Sequence, residues 1–379
     1  MPFTSAQFAD LFNSTRAAIA TPTNFIANLA QKTNYPFFRL LRGKKPFQLA
    51  KGGSSIVDEI QISDTQQAGY FNPADPASVL FVNATRTVSV PWAFGRSYEP
   101  WTDAEYNTHT GGGDKAQVKD YIKLLRQKSL TGHINYLDSS LFARPSSATM
   151  ESATPTTRAA YSIPALISED KTRYRPPSTA WSVSTIHGID VTVDNFRNKV
   201  ENYTPSLILD PAVGLIRAMD RMRIALYFNG IPAEAGDSMQ KASPSDLLIF
   251  TNKDGYVTLQ TACRQFNDRL AKVEDPSVGE IGFDGIPLIH CPQLDTELLD
   301  QSTGASAAYT SQAYPDGYPR FFWVNNTTLA PVFLKNNIMS PKPVFQGAWN
   351  VPDVNVIWTF STWNLMTNNR NRNGIVAPA

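Results

Sequence analysis

GGGDKAQVKDYIKLLRQKSLTGHINYLDSSLF, residues 111–142, is the stretch whose reading decides the fold. Val118, Tyr121, Ile122, Leu125, Ile134, Leu137 and Leu141 recur at close to the 3.6-residue period of a helix with one buried face. Asp114 supplies a negative charge where a helix N-terminus favours one. The spacing predicts one long helix over 114–142 with a weak point at Gly132. Glycines ahead of a helix can also cradle an anion, but Asp114 would repel a phosphate there, so a hinge is the better reading of Gly111 to Gly113.

Upstream of this helix two β signals flank a long connection. Ile56, Ile60 and Ile62 share one parity, and Val88, Val90, Trp92 and Phe94 alternate with polar neighbours. They read as two long strands of one hairpin, joined by the residues from Ser63 to Arg86, far more than a hairpin connection needs. A lone hairpin of this kind is marginal in water and exposes Val88, Val90, Trp92 and Phe94, so another subunit is expected to cover them. Before it, Thr4 to Ala30 reads as a short helix on an arm, broken at Pro22. Arg39, Arg42, Lys44 and Lys45 then gather ahead of the Gly52-Gly53 punctuation.

Downstream, Trp181 to Val193 alternates as a strand would. Asp210-Pro211 announces a helix with Val213, Ile216, Met219 and Leu226 on its buried face. Leu247 to Phe250 is a short apolar strand, and Tyr256, Leu259, Cys263, Phe266 and Leu270 form a helical stripe after it. Ile286 to Ile289, Phe321 to Val324 and Asn355 to Leu365 complete a mixed α+β pattern.

Composition narrows the function. With 34 basic and 33 acidic residues the net charge is +1, which excludes a dedicated nucleic-acid reader and leaves only local contact with nucleic acid. Charged residues are 18% and aromatics 11%, beside 27 prolines, a balance suited to a protein largely covered by neighbours. Cys263 and Cys291 are too few for a disulfide framework and point to a reducing compartment. No signal sequence or membrane span is expected. Elbow, phosphate-loop and zinc-helix motifs are missing from the sequence, so no catalytic, cofactor or metal residue is expected and the chain reads as a non-enzyme. His290-Cys291 lies in an apolar strand where adjacent residues point to opposite faces, which favours a packed histidine and a core thiol over a dyad.

The ordered set of local patterns resembles the Hong Kong 97-type capsid fold of tailed-phage coats and encapsulins. Its carriers are Ile186-His187-Gly188-Ile189-Asp190, Phe196-Arg197-Asn198, the strand ending at Thr251-Asn252, Phe283-Asp284-Gly285-Ile286-Pro287, Phe322-Trp323-Val324-Asn325 and the Asn-Arg-rich tail from Thr362 to Gly374. The resemblance implies an N-terminal arm over 1–50, an extended loop over 51–100 and a peripheral domain over 101–200 with its spine helix at 114–142. An axial domain over 201–350 and a C-terminal strand over 351–379, returning to the peripheral domain, would follow.

That resemblance implies a major capsid protein that assembles as pentamers and hexamers around double-stranded DNA, found in the virion and assembled in the host cytoplasm. Portal, scaffold and cement proteins are the further implied partners, and an encapsulin-like compartment shell is the alternative. Arg39, Arg42, Lys44 and Lys45 would face the genome through nonspecific phosphate contacts, or neutralise acids of a neighbouring subunit. Some coats of this fold crosslink through a lysine at the loop tip. No lysine lies between Ser63 and Arg86, so that chemistry is not expected here.

Overall fold

A computed structural model describes residues 48–50, 52–61, 85–102, 105, 115–142, 158–168, 185–190, 196–227, 247–265, 270–272, 281–297, 318–335, 337–344 and 354–379. Its strands are β1 (Gln48–Ala50), β2 (Ser55–Gln61), β3 (Thr85–Pro91), β4 (Ala93–Thr102), β5 (Thr185–Ile186), β6 (Ile189–Asp190), β7 (Lys199–Tyr203) and β8 (Leu247–Thr251). They continue as β9 (Leu270–Lys272), β10 (Ile281–Phe283), β11 (Ile286–His290), β12 (Phe321–Asn325), β13 (Leu329–Leu334), β14 (Ser340–Val344), β15 (Val354–Thr367) and β16 (Gly374–Pro378). The α-helices include α1 (Lys115–Phe142), α2 (Ile163–Leu166), α3 (Leu215–Tyr227), α4 (Lys253–Gln265) and α5 (Pro292–Glu297).

Two sheets organise these elements. The seven-stranded sheet runs β7-β16-β12-β8-β11-β10-β9. Its central strands read as unbroken apolar runs, LLIFT and FFWVN, because both faces are covered. Alternate residues enter different cores: Leu247, Ile249, Phe321 and Trp323 pack with α3 and α4, whereas Leu248, Phe250, Phe322 and Val324 pack with α1 and the hairpin strands. In the five-stranded sheet, β15 pairs with β4 on one side and with β13 and β14 in succession, while β1 lies parallel to β13.

Helix α1 is continuous through Gly132. Its buried residues fall in adjacent pairs every four positions, Tyr121-Ile122, Leu125-Arg126, Ser129-Leu130, His133-Ile134, Leu137-Asp138 and Leu141-Phe142. A period of four advances about 40° per repeat, so the buried stripe winds about half way round the helix. One end therefore meets the five-stranded sheet, where Trp101 and Tyr121 lie edge to face at 6.5 Å. The other end reaches the seven-stranded sheet, where Phe142 meets Phe250 at 5.4 Å and Asp138 accepts a hydrogen bond from the Gln293 amide.

Several expectations need correction. The strand read from Val88 to Phe94 breaks at Trp92: Trp92 and Ala93 are both buried, and the inward parity changes there. Residues 93–100 thus belong to the five-stranded sheet and not to the hairpin. Strands β13 and β14 also lie in that sheet, outside an axial domain drawn over 201–350, whereas β16 returns to the seven-stranded sheet. Helix α3 starts at Leu215, because Asp210 caps a preceding turn by accepting from the Ala212 and Val213 amides at 2.6 and 3.3 Å. Val213 is exposed, not part of the buried face. Leu270 lies in β9, beyond α4.

Candidate assembly surfaces

The base of the hairpin is fixed to its own chain. Ile56 pairs with Val90 and Asp58 with Val88, which turns Ile56, Val88 and Val90 toward a core shared with Leu130, Ile134, Tyr161, Ile186 and Ile189. The Trp92 indole donates to the Gly53 carbonyl at 3.0 Å, and the Ser89 amide donates to the His187 carbonyl at 3.2 Å. The expectation that Val88, Val90 and Trp92 wait for another subunit is therefore corrected. They are 0%, 0% and 4% exposed within one chain, because β3 runs against the β5–β6 turn before joining β4. Phe94, at 54%, stays on the outside.

Phe94 opens a surface that reasoning from the sequence missed. On β4 the exposed parity is Phe94, Arg96, Tyr98 and Pro100, and the register sets Arg96 opposite Phe360 and Tyr98 opposite Trp358. The Tyr98 and Trp358 rings lie 5.4 Å apart, Trp358 stacks on Phe360 at 6.0 Å, and the Arg96 guanidinium sits 5.4 Å from the Trp358 ring centroid. An arginine over an aromatic ladder, left partly in water, is a surface suited to burial by a partner. Its signal was the matching parity of β4 and β15, which only their pairing makes visible.

The opposite face of this sheet meets α1 through polar contacts. Ser129 and Thr359 share a hydroxyl hydrogen bond at 2.7 Å, and His133 Nε2 lies 2.7 Å from the Ser361 hydroxyl. Burial pushes the His133 imidazole down to about 4, so it is neutral near pH 7. The helix approaches closely at Gly95, where a Cβ would lie 2.8 Å from the Tyr136 ring.

The motifs behind the resemblance fall in two kinds of place, tight hairpin turns and the crossing between the sheets. His187 and Gly188 have φ of 55° and 80°, and Asp284 and Gly285 have 50° and 82°, so both hairpins use turns with two left-handed residues. Arg370, fully buried, donates Nε to the Leu166 carbonyl and Nη2 to Asn198 at 2.8 Å and to Ser168 at 3.3 Å. Asn198 donates to the Ser168 carbonyl, and Asn373 accepts from the Asn325 amide at 2.8 Å. This network holds the chain as it passes from β15 to β16. Burial lowers the Arg370 guanidinium to about 9. His187, T-shaped against Tyr161 at 4.7 Å, is lowered to about 3 by burial, opposed by the Thr367 backbone and reinforced by the Arg370 charge.

At the end of β11, His290 Nε2 lies 2.6 Å from Asp295 Oδ2, while Asp295 Oδ1 accepts the Lys253 amide at 2.6 Å. Cys291 is a buried thiol outside any disulfide, and Asp295, through its bond to the Lys253 amide, tethers the start of α4. Arg39, Arg42, Lys44 and Lys45, the connection over 62–84 and Gly111 to Asp114 lie outside the described residues.

No family model matches the chain, and no curated protein matches it. Among solved structures, the capsid asymmetric unit of cyanophage A-1(L) is similar at 12% identity over 91% of this chain and 93% of that one, with a TM-score of 0.56. An encapsulin complex from Synechococcus elongatus, at 9% identity over 91% and 88%, has a TM-score of 0.46. Mycobacterium phage Adephagia, at 9% identity over 88% of each chain, has 0.44, and these two are too distant to argue from. The chain thus has a phage capsid fold.

Proposed function

We propose that this chain is the major capsid protein of a tailed bacteriophage, built on the Hong Kong 97-type plan and closed into a shell of pentamers and hexamers. The observation that carries the reading is the end-to-end likeness to the cyanophage capsid subunit, which covers 91% of this chain. The exposed aromatic sheet face supports it, since a subunit made to be covered leaves such a surface in water. In this reading residues 1–50 form the arm, and the five-stranded sheet with α1 forms the peripheral part. The seven-stranded sheet with α3 and α4 forms the axial part.

The hairpin and its connection lie across the aromatic face of a neighbouring subunit. From 55 to 85 the chain carries Asp58, Glu59, Asp64 and Asp75 and no lysine or arginine, which suits a face centred on Arg96. Val57, 63% exposed on the outer side of β2, supplies an apolar contact. Arg39, Arg42, Lys44 and Lys45 touch packaged DNA nonspecifically or pair with acids of another copy. Portal, scaffold and cement proteins are the remaining partners, the virion is the location, and assembly takes place in the host cytoplasm.

The test is sedimentation and electron microscopy of the expressed chain. Closed megadalton shells are expected, and particles released from a lysed host should contain double-stranded DNA. Protein cargo without a genome would favour an encapsulin-like compartment. A chain that stays monomeric at high concentration would contradict both.

A further inference from the structure

Two edges of the five-stranded sheet differ in character. At one of them β14 reads SPKPV, with Pro341 opposite Thr359 and Pro343 opposite Ile357. Proline has no N–H to give, so a strand keeps it where the backbone points away from its neighbour. Pro341 and Pro343 therefore face outward, which blunts that edge. Strand β15 then turns its even-numbered residues toward β14, and the Thr362 amide does so by donating to the Asn337 carbonyl at 3.0 Å. Its odd-numbered residues turn toward β4. By the register, Gly95, Ser97 and Glu99 bond to Ser361, Thr359 and Ile357, while Phe94 and Arg96 direct their own N–H and C=O away from the sheet. Pro100, opposite Val356, falls in the outward set as a proline should. Among the described residues β4 has no strand on this second side. An edge of this kind, in a strand of ten residues, is a template for another strand.

Helix α1 runs beside that edge. Ser97 donates to the Ser129 carbonyl at 3.3 Å and Ser129 shares a hydrogen bond with Thr359, so the helix lies over the gap between β4 and β15. Its side nearest β4 is marked by the Lys128–Glu99 ion pair at 3.7 Å and by Tyr136 beside Gly95. Leu124, Lys128, Gly132 and Tyr136 form that side at four-residue steps, and all are exposed. A Cβ at Gly132 would meet nothing within 4 Å.

The occupant that fits is a second copy of the same edge, related by a two-fold axis normal to the sheet. Outward-facing residues of one edge pair with outward-facing residues of the other. Setting Arg96 opposite Arg96 brings like charges together, and setting Tyr98 opposite Tyr98 leaves Arg96 against Pro100, which returns no N–H. The register between them seats Arg96 of one copy beside the Tyr98 ring of the other and Phe94 against Pro100. Its axis passes through Ser97. Each α1 then lies half a strand spacing from its own β4, so the two helices are two spacings apart, about 10 Å, which is helix-packing distance. Gly132 leaves room for that approach.

We propose that two copies of this chain pair antiparallel through their β4 edges, with α1 beside α1, joining two five-stranded sheets and their aromatic faces into one. This rests on the reading of the chain as a self-assembling subunit and fixes one contact that the reading leaves open.

The experiment is disulfide trapping in the assembled full-length chain, whose own Cys263 and Cys291 are buried. S97C should crosslink to its own copy, since Ser97 meets Ser97 at a position where paired Cα atoms lie about 4.5 Å apart, within disulfide reach. R96C, one residue off the axis, should crosslink about tenfold less. R96P, which removes an N–H that the β15 ladder does not use, and G132R, which fills the space beside α1, should melt like the parent and lower assembly about tenfold by mass photometry. The Phe94 and Arg96 amides should exchange quickly in free subunits and slowly in particles. If particles form and S97C does not crosslink, another strand or none occupies the edge, so the pairing is wrong and the capsid reading stands. Folded R96P and G132R that assemble like the parent overturn the pairing in the same way. If the parent never associates, both fall.

Discussion

The two sheets are finished to different degrees. The seven-stranded sheet buries both faces within one chain, with Trp323, Phe250 and Phe321 at or near zero exposure. The five-stranded sheet hydrogen-bonds to α1 on one face and leaves Phe94, Arg96 and Tyr98 exposed on the other. The first is a core that stabilises the subunit alone. The second carries exposed aromatic surface that, in the proposed shell, another copy covers, so the same kind of substitution should read out in folding on one sheet and in assembly on the other.

The largest contrast is between two tryptophans. Trp323→Ala should cost the subunit about 3–5 kcal/mol by chemical denaturation, because it leaves a cavity between β12 and the α3 layer. Trp358→Ala should change subunit stability by less than about 1 kcal/mol and reduce shell yield instead. Equal folding losses at both positions would erase the distinction.

Acid is the next lever. His133, under the five-stranded sheet, is held near 4 when folded against an ordinary 6.5, so between those values the unfolded chain binds more protons. Its contribution is nil above about pH 6.5, and stability falls as pH drops through the window to about 4, by about 3 kcal/mol at most. His187 extends the same loss toward about 3. Denaturation midpoints across this range should fall less steeply for His133→Gln than for the parent.

What could be read from the sequence follows from where each signal resides. The long helix was legible because its apolar spacing is local, and β8, β11, β12 and β15 were legible as apolar or alternating runs. Sheet membership was not: β16 pairs with β7, 175 residues earlier at Gly374 and Lys199, and no local pattern carries that information. The same holds for Arg370 and Asn198, which in the sequence are separate parts of a family-like pattern and are brought together only by the crossing chain. The parity change at Trp92 was hidden because Val88, Val90, Trp92 and Phe94 keep one rhythm while the backbone changes partners. Polar residues on the buried side of α1, Ser129 and His133, were overlooked since a hydrophobic period does not count them.

Two glycines, Gly95 facing α1 and Gly132 within it, give smaller effects of opposite sign. Gly95→Ala should destabilise by about 1–3 kcal/mol, because the added methyl meets Tyr136 where helix and sheet touch. Gly132→Ala should stabilise by about 0.5–1 kcal/mol, since its Cβ meets nothing within 4 Å and the helix is continuous there. Thermal melts of the isolated subunit measure both.

The most direct measurement is hydroxyl-radical footprinting of Tyr98 and Trp358 in free subunits and in assembled particles, with Trp323 and Trp363 as internal references. Tyr98 and Trp358 should react in the free subunit and become protected on assembly, while the two buried tryptophans stay unreactive in both. Unchanged reactivity of Tyr98 and Trp358 in closed particles would contradict the claim that the five-stranded sheet is completed by another copy.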